Sequence, residues 1–334
     1  MPRRFDASRI AFHSLSRRLG RPWTEVYLER ARERARAEQE MRWALVRLAG
    51  ARALNTLVGP YGEGRENRGL LSWTGRGPRP ARRLEGTPAD HREWVLELAR
   101  RLGAAAAGVA VLDRAWVYAR VQLNPYDPGE PVCKVVEFRK VDEPAETEDA
   151  LVVPASVDRA VVVLAPMEAA ELRSRRPLAA SIETNLGYSR MAVLAVSLAE
   201  AIRAAGYVAI PCMNDTALSV PLAVAAGLGQ AGRHGMLIAH ELGAAVRIAK
   251  VLTDMPLEPD PPGPMEPHEF CTTCGVCAKA CPAGAIPEGE PGGVPPGPCN
   301  RKEGNPWPVD AEACLRFWVE RGESCALCQG VCPL

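Results

Sequence analysis

An α/β (α+β) core followed by a small cysteine-rich domain is the fold class the sequence predicts. Three observations point there. Short apolar, β-branched runs alternate with helical stretches through the middle of the chain. Composition shifts after Asp254, where six prolines fall within residues 255–270. From Cys271 onward cysteine dominates, and the chain holds eleven cysteines in all. With 334 residues, 47% hydrophobic and 24% charged, the chain can bury a sizeable core and is not disordered. The expected boundaries are 1–86 for a helical and extended amino-terminal region, 87–258 for the core and 259–334 for the cysteine-rich domain.

The elements follow in order. Residues 22–50 read as one long helix, with Trp23, Val26, Tyr27, Met41, Leu45 and Leu48 as its apolar stripe. Residues 55–86, rich in Gly, Pro and Arg, read as an extended connector. A helix should start sharply at Pro88, capped by Thr87 with Asp90 near its positive end, and run to about Gly103. Strands are expected at Ala107–Leu112 and Val161–Leu164, with irregular structure over 121–150. Residues 184–205 read as a strong helix. Tyr207–Ile210 reads as a strand ended by Pro211, and 216–226 as helix. Gly227, Gly229, Gly232 and Gly235 interrupt regularity before strands at Met236–Ala239 and Val246–Leu252.

Net charge is only +1, so no global field recruits nucleic acid or membrane. Residues 1–101 nonetheless carry 22 Arg and no Lys against 12 Asp and Glu, about +10. A self-paired, solvated helix surface is the expected reading, with nucleic acid not expected as a partner. Neither Arg3-Arg4 nor Arg17-Arg18 precedes the apolar stretch of a leader, and no stretch suits a membrane span, so a cytoplasmic protein with reduced thiols is expected.

The cysteine spacing carries the chemistry. Cys271, Cys274, Cys277 and Cys281, followed by Pro282, read C-x2-C-x2-C-x3-C-P, the bacterial ferredoxin spacing. Cys314, Cys325, Cys328 and Cys332, followed by Pro333, repeat it with the first gap lengthened. The fourth cysteine of such a run serves the other cluster. One [4Fe–4S] cluster is therefore expected on Cys271, Cys274, Cys277 and Cys332, and a second on Cys281, Cys314, Cys325 and Cys328. Zinc sites or disulfides are the alternative, but zinc favours paired C-x2-C without this third cysteine and C-P. Cys133, Cys212 and Cys299 are expected to be non-ligands.

Two clusters move single electrons but break no bonds, so the core should hold an acceptor. No G-x-G-x-x-G follows a strand with an acidic residue downstream, so a dinucleotide site is unsupported, and the D-x-H-x-x-G of base-off cobalamin proteins is absent. Bottom-up, the chain reads as a redox enzyme with a ferredoxin-like wire and an unspecified second cofactor.

Residues 184–191 (TNLGYSRM), 206–214 (GYVAIPCMN), 226–238 (AGLGQAGRHGMLI) and 246–257 (VRIAKVLTDMPL) are similar to the cobalamin-binding core of reductive dehalogenases. The resemblance extends over about residues 88–334. It implies a nitroreductase-like core holding base-off cobalamin, without a protein histidine on cobalt, fed by two clusters. It implies reductive cleavage of a carbon–halogen bond in a small organohalide. It also implies a catalytic set of Tyr188, Asn214 and Arg247: Tyr188 donating the proton, Arg247 stabilising the phenolate, Asn214 bonding the halogen. Thr184 and Trp318 would line the substrate pocket. Gly227, Gly229, Gly235, His234 and His240 would line the corrinoid, with Arg233 toward its phosphate. On residue type alone, Tyr188 reads as a core residue, Asn214 as a strand-end cap and Arg247 as a surface strand residue.

The chain as given has no reductase module, so an external low-potential donor of ferredoxin or flavodoxin type is expected. Two other readings stand beside the dehalogenase. An epoxyqueuosine reductase acting on transfer RNA shares the core, but Gly187 and Ser189 place no acidic residue beside Tyr188. A non-enzymatic iron–sulfur carrier would leave the large core unexplained.

Overall fold

A computed structural model describes residues 11–37, 80–122, 133–292 and 307–334, apart from positions 81, 175, 177 and 267, with scattered positions elsewhere. Almost all of the expected connector at 55–86, and Cys299, lie outside the described residues.

Two helices open the chain, α1 (Ala11–Leu19) and α2 (Trp23–Ala37). Helix α3 (Pro88–Arg101) starts where the sequence predicts. Thr87 accepts from the Asp90 amide while the Asp90 carboxylate accepts from the Thr87 amide, a reciprocal cap. These bonds from Thr87 hold the Asp90 carboxyl below its usual range.

The central sheet has the order β1-β6-β10-β7 and is antiparallel throughout, from β1 (Ala106–Val111), β6 (Arg159–Pro166), β10 (Val246–Thr253) and β7 (Ala209–Cys212). Both faces are buried, which explains the unbroken apolar run in β6. Val161, Val163 and Ala165 face α3 and the long helix α5 (Ala179–Ala204). Ala160, Val162 and Leu164 face the opposite core, under α6 (Ser219–Ala225). Strand β7 continues through Pro211 to Cys212 rather than ending before the proline. It is an edge strand, so the proline's missing N–H breaks no ladder.

The stretch expected to be irregular forms part of a second sheet, β2-β3-β5-β4, from β2 (Arg120–Gln122), β3 (Cys133–Arg139), β4 (Ala145–Glu146) and β5 (Ala150–Pro154). A short helix, α4 (Ala169–Leu172), precedes α5. The glycine-rich stretch forms a hairpin, β8 (Gly229–Ala231) and β9 (Leu237–Ala239). Short helices α7 (Cys271–Cys274), α8 (Val276–Lys279) and α10 (Leu327–Gly330) carry cysteines, as does α9 (Ala311–Arg321).

The amino-terminal helices dock on this carboxy-terminal region. Ala11 and Leu15 of α1 pack with Leu315 and Val319 of α9, and Tyr27 Oη meets Ser181 Oγ at 3.0 Å. Ser181 in turn accepts the Ser324 amide at 2.7 Å. Arg21 and Arg30 pair within these helices, with Glu29 and Glu33, whereas Arg18 and Arg34 pair across the seam with Glu312 and Glu323.

Candidate active site and iron–sulfur centres

Tyr188 lies in the middle of α5, Arg247 on β10 and Asn214 just after β7. The fold brings these three together. Asn214 Nδ2 donates to Tyr188 Oη at 2.8 Å. The Arg247 guanidinium sits over the Tyr188 ring, 4.8 Å from its centroid, and donates to Thr184 Oγ1 at 3.4 Å. Buried Thr184 lies one helical turn before Tyr188 and completes the group. Arg247 Nε is buried without a partner among the described residues, an orphaned donor at this site.

The Asn214 loop is held by residues that sequence reasoning missed. Lys250, fully buried on β10, donates to the Met213 carbonyl and to Ser219 Oγ at 3.0 Å. Burial lowers its pKa. Asp215 accepts the Met213 amide at 2.7 Å and the Thr216 hydroxyl at 2.9 Å. Tyr118 Oη donates to the Asn214 carbonyl at 3.3 Å. Thr216 sits at φ 64, a left-handed conformation held by these contacts. Asn214 thus addresses the phenol oxygen, where the halogen was expected. A lysine inside an apolar strand was the available signal for this support.

Other expected positions separate from this group. Trp318 packs against the helix cluster of Ala11, Leu15, Leu315 and Val319, beside Trp23 and Val26. That packing turns one face of Trp318 toward the docked amino-terminal helices. The placement of Arg233 toward a phosphate is corrected. It is buried, and its guanidinium donates to the carbonyls of Cys271 (2.8 Å), Thr272 (3.3 Å), Pro287 (2.9 Å) and Gly289 (2.8 Å), with Trp307 stacked 4.3 Å away. Its donors are spent on the cysteine-rich loops, leaving none for a phosphate.

The glycines serve the backbone first. A Cβ on Gly229 would lie 2.1 Å from the Ile238 carbonyl oxygen across the hairpin. Gly227 and Gly235 take left-handed turns. His240 is exposed and lines a cleft of about 450 Å³ with Gln230, Gly243, His268 and Leu334. Gly243 on this wall lies four residues before Arg247.

The eight expected cluster cysteines form two groups. Cys271, Cys274, Cys277 and Cys332 line one cavity, together with His234 and Leu334. Burial, and after it the neighbouring Cys271 and Cys332, push Cys277 up to about 11. Burial likewise pushes Cys314 up to about 12, with Cys325 and Cys281 beside it. Cys328 rises to about 12 by burial, next to Cys314, Cys325, Cys277 and Cys281. Backbone amides already address the sulfurs: Arg233 N–H to Cys271 Sγ at 3.5 Å, and Ala285 N–H to Cys281 Sγ at 3.3 Å. Among the described residues, no three His, Cys, Asp or Glu side chains converge on a point that one ion would occupy. Thiols spread around a cavity fit a multi-iron cluster better than a zinc ion with ligands at about 2.3 Å.

His234 is buried beside the first cavity, and burial lowers its pKa to about 4. Among the described residues, no helix is long and apolar enough to cross a membrane.

A 4Fe-4S binding domain family matches residues 268–286. A tetrachloroethene reductive dehalogenase of Sulfurospirillum multivorans is 38% identical over 252 residues, covering 74% of this chain and 50% of that protein. One of Desulfitobacterium hafniense is 37% identical over 260 residues, covering 70% of this chain and 46% of that protein. The chain belongs to the reductive dehalogenase family. It spans about half the length of these curated relatives. Among solved structures, the catabolic reductive dehalogenase NpRdhA superposes with a TM-score of 0.60 at 23% identity, covering 79% of this chain and 34% of that one. This dehalogenase likeness extends to the fold: a mixed helix and strand core followed by a ferredoxin-like segment. An epoxyqueuosine reductase of Synechococcus sp. (strain CC9605) is 37% identical over 125 residues, 32% of either chain.

Proposed function

We propose that this dehalogenase-family chain catalyses corrinoid-dependent reductive cleavage of a carbon–halogen bond in a small organohalide, with Tyr188 as proton donor. The observation that carries this reading is the single group formed by Tyr188, Asn214 and Arg247. The overall balance is two electrons and one proton consumed, with C–H replacing C–X and halide leaving. The two cysteine groups would each hold a [4Fe–4S] cluster that passes one electron at a time. A bound base-off corrinoid would supply the reduced cobalt that breaks the carbon–halogen bond. His240 on the cleft wall and the orphaned Arg247 Nε are the side chains offered to it and its substrate.

The chain's own residues handle the proton. An amide nitrogen only donates, so the Tyr188 oxygen accepts from Asn214 and its own O–H stays free for substrate. A phenol ordinarily keeps its proton at neutral pH. As that proton leaves, the Asn214 hydrogen bond and the Arg247 charge both stabilise the phenolate. Thr184 steers the guanidinium over the ring.

The epoxyqueuosine reductase match keeps a second reading open. A side chain at Gly187, acidic or otherwise, would collide with Arg247 Cγ and Met167 Cγ, each 2.9 Å from its Cβ. That favours the dehalogenase.

Anaerobic reconstitution with corrinoid, iron and sulfide, followed by a halide-release screen and a parallel assay on epoxyqueuosine-containing transfer RNA, tests the reading. Halide release with a reduced artificial donor is expected. Corrinoid-loaded protein that reduces only the transfer RNA would establish the alternative, and protein that binds clusters but no corrinoid would make it a carrier. The physiological donor would be an external low-potential ferredoxin or flavodoxin.

A further inference from the structure

His234 belongs to the β8–β9 hairpin of the core, yet its ring forms part of the wall of the Cys271, Cys274, Cys277 and Cys332 cavity. Its two nitrogens have different surroundings. Nδ1 accepts the Met236 amide at 3.1 Å. A nitrogen that accepts carries no proton, so the ring is neutral and its proton lies on Nε2. Nε2 is buried and has no partner among the described residues. A buried donor left unmatched costs free energy, so an acceptor is called for. The sulfurs of the adjoining site are the acceptors at hand. The Arg233 amide, one residue away, already donates to Cys271 Sγ.

We propose that the His234 Nε2–H donates a hydrogen bond to the iron–sulfur cluster on Cys271, Cys274, Cys277 and Cys332, making the core hairpin a determinant of that cluster's potential. The inference rests on the reading above that these four cysteines hold a [4Fe–4S] cluster. A donor to cluster sulfur stabilises the added electron and raises the reduction potential. The position gives this a purpose. Leu334 lines both this cavity and the cleft that holds His240, so this cluster is the one next to the cleft. Its potential sets how readily electrons cross from the cysteine-rich domain toward the core.

The test uses the full chain reconstituted anaerobically, with iron and sulfide measured before any potential. His234→Phe keeps a ring and removes both nitrogens. His234→Gln keeps an oxygen for the Met236 amide and an N–H for the sulfur. Redox titration followed by electron paramagnetic resonance reads the cluster signal that Cys274→Ala removes. At the wild-type midpoint, His234→Phe should show a reduced-to-oxidised ratio about tenfold smaller, which is 59 mV for one electron, and His234→Gln should restore most of it. If His234→Phe does not retain the cluster, ¹⁵N-histidine labelling of the wild type decides: a ¹⁵N coupling to the reduced cluster, lost in His234→Gln, is expected. Full cluster occupancy with unchanged midpoints overturns the proposal, as does a wild-type cluster without ¹⁵N coupling. Wild-type protein that builds no cluster on these cysteines overturns the cluster reading itself, and this inference with it.

Discussion

Cys271, Cys274 and Cys277 lie on two helices of four residues each, whereas Tyr188 and Arg247 lie on a 26-residue helix and a central eight-residue strand. The thiol region has little regular structure to hold it. Its side chains are wholly or partly buried next to one another, and burial followed by the neighbouring thiols raises the pKa values of Cys277, Cys314 and Cys328. The Tyr188 group instead hangs on elements that fill the core, and Tyr188 itself packs against it. One region rests on short helices and loops, and the other on a long helix and a central strand. The two should therefore respond differently to loss of ligand and to loss of a side chain.

The largest expected effect breaks the thiol side alone. Reconstituted protein should carry about eight iron and eight sulfide per chain. Cys274→Ala should remove one cluster and Cys314→Ala the other, while Cys299→Ala leaves both. Chelation of iron should loosen the segment after Cys271, read by amide exchange, and leave β6 and β10 protected. Uniform loss of protection across both regions would erase the distinction.

Tyr188→Phe comes next and should do the reverse. It removes one hydroxyl and leaves ring packing intact. Turnover should fall by about 10²–10⁴-fold, the usual contribution of a general acid, with corrinoid and iron content normal. Wild-type turnover in this variant would mean that the proton comes from water or another side chain.

The two regions also differed in how readily they could be read from sequence. Cluster ligands repeat at short spacing because three thiolates must reach one cluster from one loop, so Cys271 to Cys281 announce themselves. The reciprocal cap at Thr87 and Asp90 is equally local, and it was legible. Tyr188, Asn214 and Arg247 are separated by 26 and 33 residues, and only pairing of β10 with β7 and packing of α5 bring them together. Without the family resemblance, each had an ordinary structural reading. Arg233 was misplaced for the same reason: its partners are backbone carbonyls 38 to 56 residues away, which no side-chain pattern signals. Pro211 was read as a strand end because edge position is a property of the sheet.

Arg233 ties the β8–β9 hairpin to the cysteine-rich loops, so its loss should loosen that seam. Arg233→Met keeps apolar length and leaves the carbonyls of Cys271, Pro287 and Gly289 without their charged donor. Hydrogen bonds to charged groups contribute about 1.5–3 kcal/mol each, and they do not add fully. A loss of about 3 kcal/mol in unfolding free energy is expected, with faster release of the cluster on Cys271. Denaturant titration of the reconstituted protein measures it. A loss below about 1 kcal/mol would show that the seam is held by other contacts.

The smallest expected effect is the sharpest on the Tyr188 side. Gly187 lies in the interior of α5, where glycine normally costs about 1 kcal/mol relative to alanine. A Cβ there would stand 2.9 Å from Arg247 Cγ, near the root of that side chain. Gly187→Ala thus gains helix propensity and loses packing, and overpacking costs about 1–3 kcal/mol. The two nearly offset, so unfolding free energy should change by about 1 kcal/mol. The displacement falls on the guanidinium over Tyr188 instead. A misplaced charge stabilises the phenolate less, and turnover should fall by about tenfold, since errors of an ångström in such groups can cost up to 10². Arg247→Lys should resemble it, because a charge remains while the planar fork is lost, and Arg247→Met should be worse than either. Cluster content should be the same in all three. Unchanged turnover in Gly187→Ala with a normal fold would mean that Arg247 can shift freely without consequence, and that Asn214 alone supports the phenol oxygen.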